Sequence, residues 1–493
     1  MTAPHILAID QGTSGTKAVL VDARGNAVAS TTRKLTQHHP GPGRVEQSPH
    51  EIWSSVIEAV GKLTHEQPDA FVASVALSTQ RESVLLWDPD TGNPLSPLVS
   101  WQDRRGVARC ADVAAGPHAT MVRAATGLPI DPMFSATKAE ALLDEFDAGR
   151  VSARAGALRV GTVDAWLLCR LTGADRTEMG NASRTLLLDI STGDYHPVLL
   201  DLFGIPRSAL AEPTASTGPF GGTIGLPGVP DGTPVAAVLG DSHASLFAQS
   251  AGRTGIVKAT YGSGSSLMAL APGTDEAGAG LARTIAWQMP GERPAVALEA
   301  NIAASGTTVR WAADLLGTDE ASLAAWAAEI DHTDVVIVPA FEGLGAPYWD
   351  RDAQALITGF GFGTGKADIA RAAIESVAYQ ITDTLALFDD ALGTCQELRA
   401  DGGPTANTAL MQFQADLCAR PVARSARPEN SALGAARLAG LALGLWDTEH
   451  VVGQSTPSVV FVPTRGAQWR REALLRWHDA LRRARQGTAD PHA

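Results

Sequence analysis

The feature that most constrains the fold of this 493-residue chain is a strand that ends in an acidic residue and a glycine turn near the N-terminus. The segment Ile9-Asp-Gln-Gly-Thr-Ser-Gly-Thr-Lys17 predicts a hairpin, with a turn at residues 12–15 and a returning strand at residues 18–21. A weaker echo, Asp401-Gly-Gly403, follows another predicted strand late in the chain. Two such turns predict a two-lobed nucleotide-binding protein, because their backbone amides can lie against phosphates.

Strands and helices alternate along the sequence, which predicts an α/β fold. We place a domain boundary near residue 245, so the predicted domains are residues 1–245 and 246–493. In the first domain we predict strands at 6–9, 18–21, 27–30, 72–77 and 235–239 and helices at 51–63 and 244–249. In the second we predict strands at 256–261, 335–339 and 398–400, helices at 366–387, 407–418 and 433–443, and a basic C-terminal helix at 469–485.

Composition excludes several classes of protein. Hydrophobic residues make up 45% and charged residues 19%, values typical of a folded globular chain and not of a disordered one. The net charge of −14 argues against a nucleic-acid partner, which requires a basic surface. The four cysteines form no C-x-x-C pair, and no apolar run is long enough for a membrane span or a signal peptide. We therefore expect a cytoplasmic protein with reduced thiols and no membrane partner.

Two segments before residue 110 carry side chains suited to a sugar or a polyol. Arg81 and Glu82 follow a predicted strand and together offer donors and acceptors for several hydroxyl groups. Trp101 can cover the C–H side of such a ligand. A surface ion pair and a core tryptophan are the alternative interpretation of the same residues.

Two carboxylates at predicted strand ends suit phosphoryl transfer. Asp241 ends a buried strand, where it can accept the proton that an alcohol loses as it attacks phosphorus. His243 is a rival base, or a residue that packs at the start of the next helix. Asp10 can reach a hydrated Mg²⁺ while the hydroxyls after it face a phosphate. An ordinary glycine-rich hairpin is the competing interpretation for Asp10.

In this order the segments resemble the FGGY family of carbohydrate kinases. The resemblance runs from about His5 to Arg485 and rests on the strings DQGTSGTKA, TQRESVLLWD, VSWQDRR, GLPIDPMFSATK, PAFEGLGAPYWD and RADGGPTAN. It implies a two-domain fold of the actin-like, sugar-kinase ATPase type, with mixed central sheets flanked by helices and the active site in the interdomain cleft. It also implies ATP and Mg²⁺ as cofactors, a small polyol or sugar substrate, a closing cleft that excludes water, and a homodimer or homotetramer.

The resemblance also implies roles for individual residues. Asp241 is expected to be the catalytic base, and Asp10 the acid that serves the metal. The substrate is expected to contact Arg81, Glu82, Trp101, Met133, Asp241 and Ser242. The nucleotide is expected to contact Thr13, Ser14, Lys17, Ser263, Gly306, Arg310, Gly403 and Asn407.

The sequence indicates the family more specifically than it indicates the substrate. The Gln80-Arg81-Glu82 triplet and the block after Trp101 favour the members that phosphorylate glycerol. However, Met133 stands where those members generally have tyrosine, and Ser242 where they usually have glutamine. Each change removes hydrogen-bonding reach, and an unpaired buried hydroxyl costs about 1–3 kcal/mol. A longer polyol or ketose of four or five carbons is therefore the alternative substrate, with His243 as a replacement donor. A nucleotide-binding protein without kinase activity is a further alternative.

Fructose 1,6-bisphosphate is expected not to inhibit this protein. Bacterial members that phosphorylate glycerol bind that effector through a basic loop before the catalytic base, whereas residues 221–230 contain no Arg or Lys here. Without cations, the two phosphates of the effector have no charged partner. ADP release measured with and without the effector tests this expectation, and clear inhibition at sub-millimolar effector would contradict it.

Overall fold

The structure is a computed structural model that describes residues 3–271, 280–425, 427, 429–455, 457 and 459–485. Strands and helices alternate from the first residues onward. Up to residue 252 the elements are β1 (Pro4–Gln11), β2 (Gly15–Val21), β3 (Ala27–Lys34), β4 (Glu46–Gln47), α1 (Pro49–Glu66), β5 (Phe71–Thr79), β6 (Val84–Trp87), β7 (Leu98–Val99), α2 (Val107–Ala115), α3 (Ala119–Thr126), α4 (Ser135–Phe146), α5 (Val151–Arg154), β8 (Arg159–Thr162), α6 (Val163–Thr172), β9 (Arg176–Glu178), α7 (Met179–Ala182), β10 (Leu188–Asp189), β11 (Asp194–Tyr195), α8 (Pro197–Leu202), β12 (Glu212–Thr214), β13 (Val235–Gly240) and α9 (Asp241–Ser250).

The remaining residues continue the alternation, and the described part ends in a long helix. The elements are β14 (Ile256–Tyr261), β15 (Ser265–Leu270), β16 (Ala282–Trp287), β17 (Ala295–Ile302), α10 (Gly306–Leu315), α11 (Glu320–Ala327), β18 (Val336–Val338), β19 (Leu356–Thr358), α12 (Lys366–Leu392), β20 (Glu397–Asp401), α13 (Thr408–Cys418), β21 (Val422–Arg424), α14 (Asn430–Ala442), α15 (Thr448–Gln454), β22 (Val459–Phe461) and α16 (Ala467–Arg485). Short 3-10 helices cover Arg207–Ala209 and Gly403–Ala406.

The chain forms two compact units, each with a sheet flanked by helices. Among the described residues, the first unit comprises 3–252, 283–297 and 429–455. The second comprises 253–271, 280–282, 298–425, 427, 457 and 459–485. The chain thus leaves the first unit after residue 252 and returns to it twice. A single boundary near residue 245 does not include these returns, because an assignment along the sequence carries no information on which distant segments pack together.

The first unit is built on a sheet with the strand order β13-β5-β1-β2-β3. Strands β13, β5 and β1 run parallel, whereas β1, β2 and β3 form the predicted antiparallel meander. The central strands read as continuous apolar runs because helices cover both faces of such a sheet. Residues 6–9 are accordingly buried on both sides of β1, and α1 packs Ile52, Val56 and Val60 into the same core.

The second unit carries strands in the order β17-β15-β14-β20-β21-β22. Strands β14 and β20 are parallel, and β14 and β15 form an antiparallel hairpin. The long helix α12 buries one face on this core through residues such as Ile374, Ile381 and Leu385. None of the helices in the described residues is long and apolar enough to span a membrane.

One predicted boundary is wrong in a way that concerns the active site. The helix predicted to start at residue 244 starts at Asp241, with Gly240 in the extended conformation as its N-cap. Asp241 is therefore the first helical residue after β13, and not a loop residue between a strand and a helix. The α/β alternation itself and the mixed sheets flanked by helices are confirmed.

Candidate active site

Several predicted site residues of the first unit lie at the ends of three parallel strands. Pairing aligns Asp10 of β1 with Ser78 of β5, and Gly240 of β13 with Thr79 of β5. The carboxyl ends of β1, β5 and β13 therefore lie at one edge of the sheet, where ligands bind in open α/β sheets. The edge carries Asp10, the segment that follows β5, and Asp241.

Asp10 has the surroundings of a cation ligand. Its carboxylate accepts a hydrogen bond from Ser78 Oγ at 2.9 Å. Burial raises the pKa of Asp10 to about 6; the Asp241 carboxylate adds to the rise, whereas Ser78 and Lys17 oppose it. A buried carboxylate with incomplete compensation of its charge is stabilised by a bound cation, and carboxylate oxygen is a ligand that Mg²⁺ prefers. Asp10 therefore fits the predicted metal.

A single carboxylate is compatible with the predicted metal. Mg²⁺ usually keeps several waters and binds through one or two carboxylates and substrate phosphates, so Asp10 would be its protein ligand here. Among the described residues there is no cluster of three or more His, Cys, Asp or Glu side chains suited to a metal ion.

The turn after β1 brings two predicted groups together. The indole Nε1 of Trp101 donates to Thr13 Oγ1 at 3.0 Å, and Gln47 Nε2 donates to Thr13 O at 2.9 Å. Because Thr13 Oγ1 accepts from the indole, its own proton remains available to a phosphate oxygen. Ser14 is exposed at the tip of the turn. Trp101 is 36% exposed, so part of its ring surface is open.

Lys17 lies on β2 directly across from Asp10 in the antiparallel register. Its Nζ is 3.7 Å from Glu429 Oε1, and Glu429 immediately precedes α14. The side chains of this pair are about one-quarter and one-fifth exposed, so the ammonium is held near the turn without being enclosed. The structure thus places Thr13, Ser14 and Lys17 on one hairpin.

Arg81 is the centre of the charged groups at this edge. Its Nε lies 3.5 Å from Asp241 Oδ1 and 3.8 Å from Glu82 Oε1. Arg81 and Glu82 are both buried, while the side chain of Asp241 is 37% exposed. The carboxylate of Asp241 is therefore the more accessible of the two carboxylates, and the buried guanidinium of Arg81 contacts it. Asp241 is also at the first position of α9, where the helix dipole stabilises a negative charge.

Glu82 is held in an unusual conformation by a residue that the sequence analysis did not identify. Its backbone φ is +60°, in the left-handed region that non-glycine residues rarely adopt. Arg184, which is fully buried, donates from Nε to Glu82 Oε1 at 2.6 Å, and its guanidinium lies 5.0 Å from the ring centre of Phe134. Ser135 Oγ donates to Glu82 O at 3.0 Å. Arg184 stands between Ser183 and Thr185, so no local apolar pattern marks it as buried.

Met133 lies on a rigid loop before α4. Its backbone N–H donates to Asp131 Oδ1 at 2.9 Å. The ammonium of Lys138, which is completely buried, donates to the carbonyl oxygens of Pro132 and Met133. Burial lowers the pKa of Lys138 to about 8. The position of residue 133 is therefore fixed by the backbone and by Lys138, independently of the side chain at 133.

Ser242 and His243 follow the predicted base but differ in their surroundings. Ser242 is partly exposed, and its N–H donates to Asp241 Oδ1 at 2.6 Å. His243 is fully buried, with its Nε2 3.3 Å from Nη1 of Arg81. The imidazole thus lies behind Arg81, away from accessible space, so the hypothesis that it replaces a missing donor to the substrate does not agree with this position.

Ser263 and Gly306, two of the five nucleotide-binding residues predicted for the second unit, lie together at the turn after β14. The turn after β14 carries Ser263, which is exposed, and Gly306 N–H donates to Gly262 O at 2.9 Å. A Cβ at Gly306 would lie only 2.6 Å from Gly262 O. Gly402 has φ of +97°, and a Cβ there would be 1.9 Å from Tyr261 O. Glycine is therefore required where these backbones touch.

The other three nucleotide-binding residues predicted for this unit are Gly403, Asn407 and Arg310. Gly403 is exposed beside Gly402, and nothing lies within 4 Å of the place where its Cβ would be. Asn407 caps α13 by accepting from Leu410 N–H at 3.1 Å. Arg310 is in the second turn of α10, exposed, with Nε 3.0 Å from Glu320 Oε1. Ser263, Gly306 and Gly403 thus form one surface of the second unit, while Arg310 has a surface ion pair.

Comparison with known proteins agrees with this arrangement. Residues 5–248 match the N-terminal domain, and residues 257–443 the C-terminal domain, of the FGGY family of carbohydrate kinases. The chain is 42% identical to an apulose kinase of Pectobacterium atrosepticum over 98% of its length and 99% of that protein. It is 41% identical to a glycerol kinase of Alkalilimnicola ehrlichii, covering 97% and 98% of the two chains.

The chain belongs to the FGGY family of carbohydrate kinases. The resemblance found in the sequence is therefore confirmed, and so is the activity of an ATP-dependent kinase. Among solved structures, a glycerol kinase of Plasmodium falciparum with ADP superposes with a TM-score of 0.92 at 29% identity, covering 98% of each chain. A xylulose kinase of Lactobacillus acidophilus shares the fold, with a TM-score of 0.88 at 21% identity over 98% of this chain and 99% of its own.

The pairing of Arg184 with Glu82 predicts a strong energetic coupling in this FGGY kinase. Breaking a buried ion pair by removing one partner costs about 3–5 kcal/mol, because a charge stays buried without compensation. We expect Arg184→Gln to lower the free energy of unfolding by about that amount. The double variant Arg184→Gln, Glu82→Gln is expected to be more stable than the single one, since no uncompensated carboxylate remains.

Urea unfolding of the wild type, both single variants and the double variant measures the coupling. Arg482→Gln is the control, because both side chains of its ion pair with Asp479 are more than half exposed, and such a pair is worth less than about 1 kcal/mol. Additive effects of the two substitutions would contradict the assignment.

Proposed function

We propose that this kinase transfers the γ-phosphoryl group of ATP to a terminal hydroxyl of a small polyol, with glycerol as the favoured substrate and glycerol 3-phosphate as its product. The observation that carries the proposal is the carboxylate of Asp241, partly accessible, next to a buried guanidinium and at the same sheet edge as Asp10. Glycerol is favoured by the 41% identity to a glycerol kinase over nearly the whole chain and by the Gln80-Arg81-Glu82 triplet.

Asp241 is the proposed general base. As the substrate oxygen bonds to the γ-phosphorus, Asp241 accepts the hydroxyl proton and the bond between that phosphorus and the bridging oxygen of ADP breaks. Arg81 holds the base in position and keeps its ionised form favourable. Asp10 is the residue that would hold Mg²⁺, which neutralises phosphate charge when bound.

Arg81 and Glu82 are the proposed ligands of the remaining substrate hydroxyls. A guanidinium supplies only donors and a carboxylate only acceptors, so the pair can orient two neighbouring hydroxyl groups. Trp101 offers an open aromatic surface to the C–H side of the carbon chain. Thr13, Ser14 and Lys17 are proposed to contact the transferred phosphate from their hairpin, and Ser263, Gly306, Arg310, Gly403 and Asn407 to contact the nucleotide.

A branched or linear ketose or polyol with four or five carbons is the second candidate substrate. Two observations favour it. The relative at 42% identity is named an apulose kinase. In addition, Met133 and Ser242 stand where the resemblance leads us to expect tyrosine and glutamine. A substrate as small as glycerol then has fewer hydrogen-bonding partners at these two positions.

The function is tested by ADP release with Mg-ATP across glycerol, dihydroxyacetone, erythritol, the pentitols, xylulose, ribulose and apulose. We expect glycerol to give the highest kcat/KM. Asp241→Asn is expected to lower kcat by about 10²–10⁴-fold, because a positioned base typically contributes that much, while thermal stability changes little. The proposal would be contradicted if no acceptor in the panel were phosphorylated. If a five-carbon acceptor gave the highest kcat/KM, the second candidate would be the substrate.

Residue 133 provides a test of specificity. Because Lys138 and Asp131 fix the loop backbone, Met133→Tyr is expected to place a phenolic hydroxyl near the substrate without moving the loop. One new hydrogen bond predicts a rise of about five- to tenfold in kcat/KM for glycerol relative to the five-carbon acceptors. Met133→Phe is the matched control, since it adds the ring without the hydroxyl. An equal effect of both variants would show that ring volume, and not hydrogen bonding, controls the preference.

A further inference from the structure

His243 is a buried, polar side chain next to the proposed machinery whose role the proposed function leaves open. It is fully buried on the first turn of α9, two residues after Asp241. Its Nε2 lies 3.3 Å from Nη1 of Arg81. The arginine it meets is the one whose Nε contacts Asp241 and Glu82.

The chemistry of this contact determines the protonation state of the imidazole. A guanidinium has five N–H donors and no acceptor. A hydrogen bond between Arg81 and Nε2 of His243 therefore requires a lone pair on Nε2. The ring is then neutral, and its single proton is on Nδ1. An imidazolium would instead direct an N–H at another cation.

Two glycines keep the ring and the guanidinium in place. A Cβ at Gly240 would lie 2.6 Å from Cδ and 2.7 Å from Cγ of Arg81, and 3.2 Å from Nδ1 of His243. A Cβ at Gly180 would lie 3.0 Å from the same Nδ1. The stem of Arg81 thus rests on Gly240, and the imidazole fills the space between two backbones. A side chain at either glycine would displace the group that now lies against it.

We propose that His243 is a positioning residue whose neutral imidazole accepts a hydrogen bond from Arg81 and so orients the guanidinium toward Asp241 and Glu82. His243 is then neither a catalytic base nor a substrate ligand, because its lone pair is engaged by Arg81 and its ring is fully buried. The expected kinetic effect rests on the proposed function, whereas the protonation state of the ring does not.

Two substitutions separate positioning from packing. In His243→Gln the amide oxygen keeps an acceptor for Arg81, whereas His243→Leu fills a similar volume without one. We expect His243→Leu to lower kcat/KM for the best acceptor by about tenfold or more, and His243→Gln to stay within about threefold of wild type. Gln249→Leu, a buried polar-to-apolar change on the same helix, is the control and is expected to leave the kinetics unchanged.

Coupling to Arg81 is the stricter test. In an Arg81→Ala background, His243→Leu is expected to lower kcat/KM by less than about twofold, because the group it positions is gone. A full tenfold loss in that background would overturn the proposal. Equal losses in His243→Gln and His243→Leu would also overturn it, since they would point to ring packing alone.

A spectroscopic readout tests the inference even if the kinase assay fails. In protein labelled with ¹⁵N at histidine, the signal that disappears in His243→Gln belongs to His243, one of twelve histidines. We expect shifts of a neutral ring with the proton on Nδ1 throughout the pH range of activity. A charged ring, or a neutral ring with the proton on Nε2, would overturn the proposal. Absence of turnover on every acceptor, with this tautomer observed, would refute the proposed function and leave the contact with Arg81 standing.

Discussion

The parallel pairing of β1, β5 and β13 is the constraint on which the first unit depends. Since parallel strands end at the same edge of a sheet, one register brings together Asp10, the segment after β5 and Asp241, although Asp10 and Asp241 are 231 residues apart in the sequence. A slip of one residue in the pairing of β1 would turn the side chain of Asp10 to the opposite face of the sheet. The side chain of a neighbouring residue would then take the place of Asp10 in the site. The register of these strands is thus a condition of the site, and the hydrogen bond between Ser78 and Asp10 is one contact that depends on it.

The buried charged side chains at that edge of the sheet contribute more to the positions of the site groups than to the stability of the protein. Arg81, Glu82 and Arg184 are nearly inaccessible, and removing such groups from water costs free energy that their mutual attraction only partly returns. As a result, the carboxylate of Glu82 and the guanidinium of Arg81 are held in fixed orientations. In the proposed function, a substrate hydroxyl meets groups that are already oriented, so binding loses less conformational entropy. The left-handed backbone of Glu82 is consistent with this account, because strain of that kind persists only where the surroundings determine it.

Sequence reasoning was sufficient for the family, the alternating elements and the residues at strand ends, because each leaves a local pattern. Strand–acid–glycine turns mark Asp10 and the segment after β20, and periodicity marks α12 to within a few residues at its end. The first residue of α9 was misplaced, since a serine and a histidine after Asp241 carry little helical signal. Arg184 and the contact of His243 with Arg81 were missed because they join segments 102 and 162 residues apart. No local pattern encodes such a pairing.

The loop that carries Met133 differs from the charged cluster in how it is held. Asp131 and Lys138 bind main-chain atoms of residues 132 and 133, so these hydrogen bonds do not depend on which side chain stands at 133. By contrast, the charges of Arg81 and Glu82 are tied to His243 and Arg184, so their substitution leaves buried groups unpaired. In the proposed function, the pair that binds two substrate hydroxyls is therefore the buried and interdependent one. The positions proposed to distinguish one acceptor from another, 133 and 242, lie outside that network of buried charges.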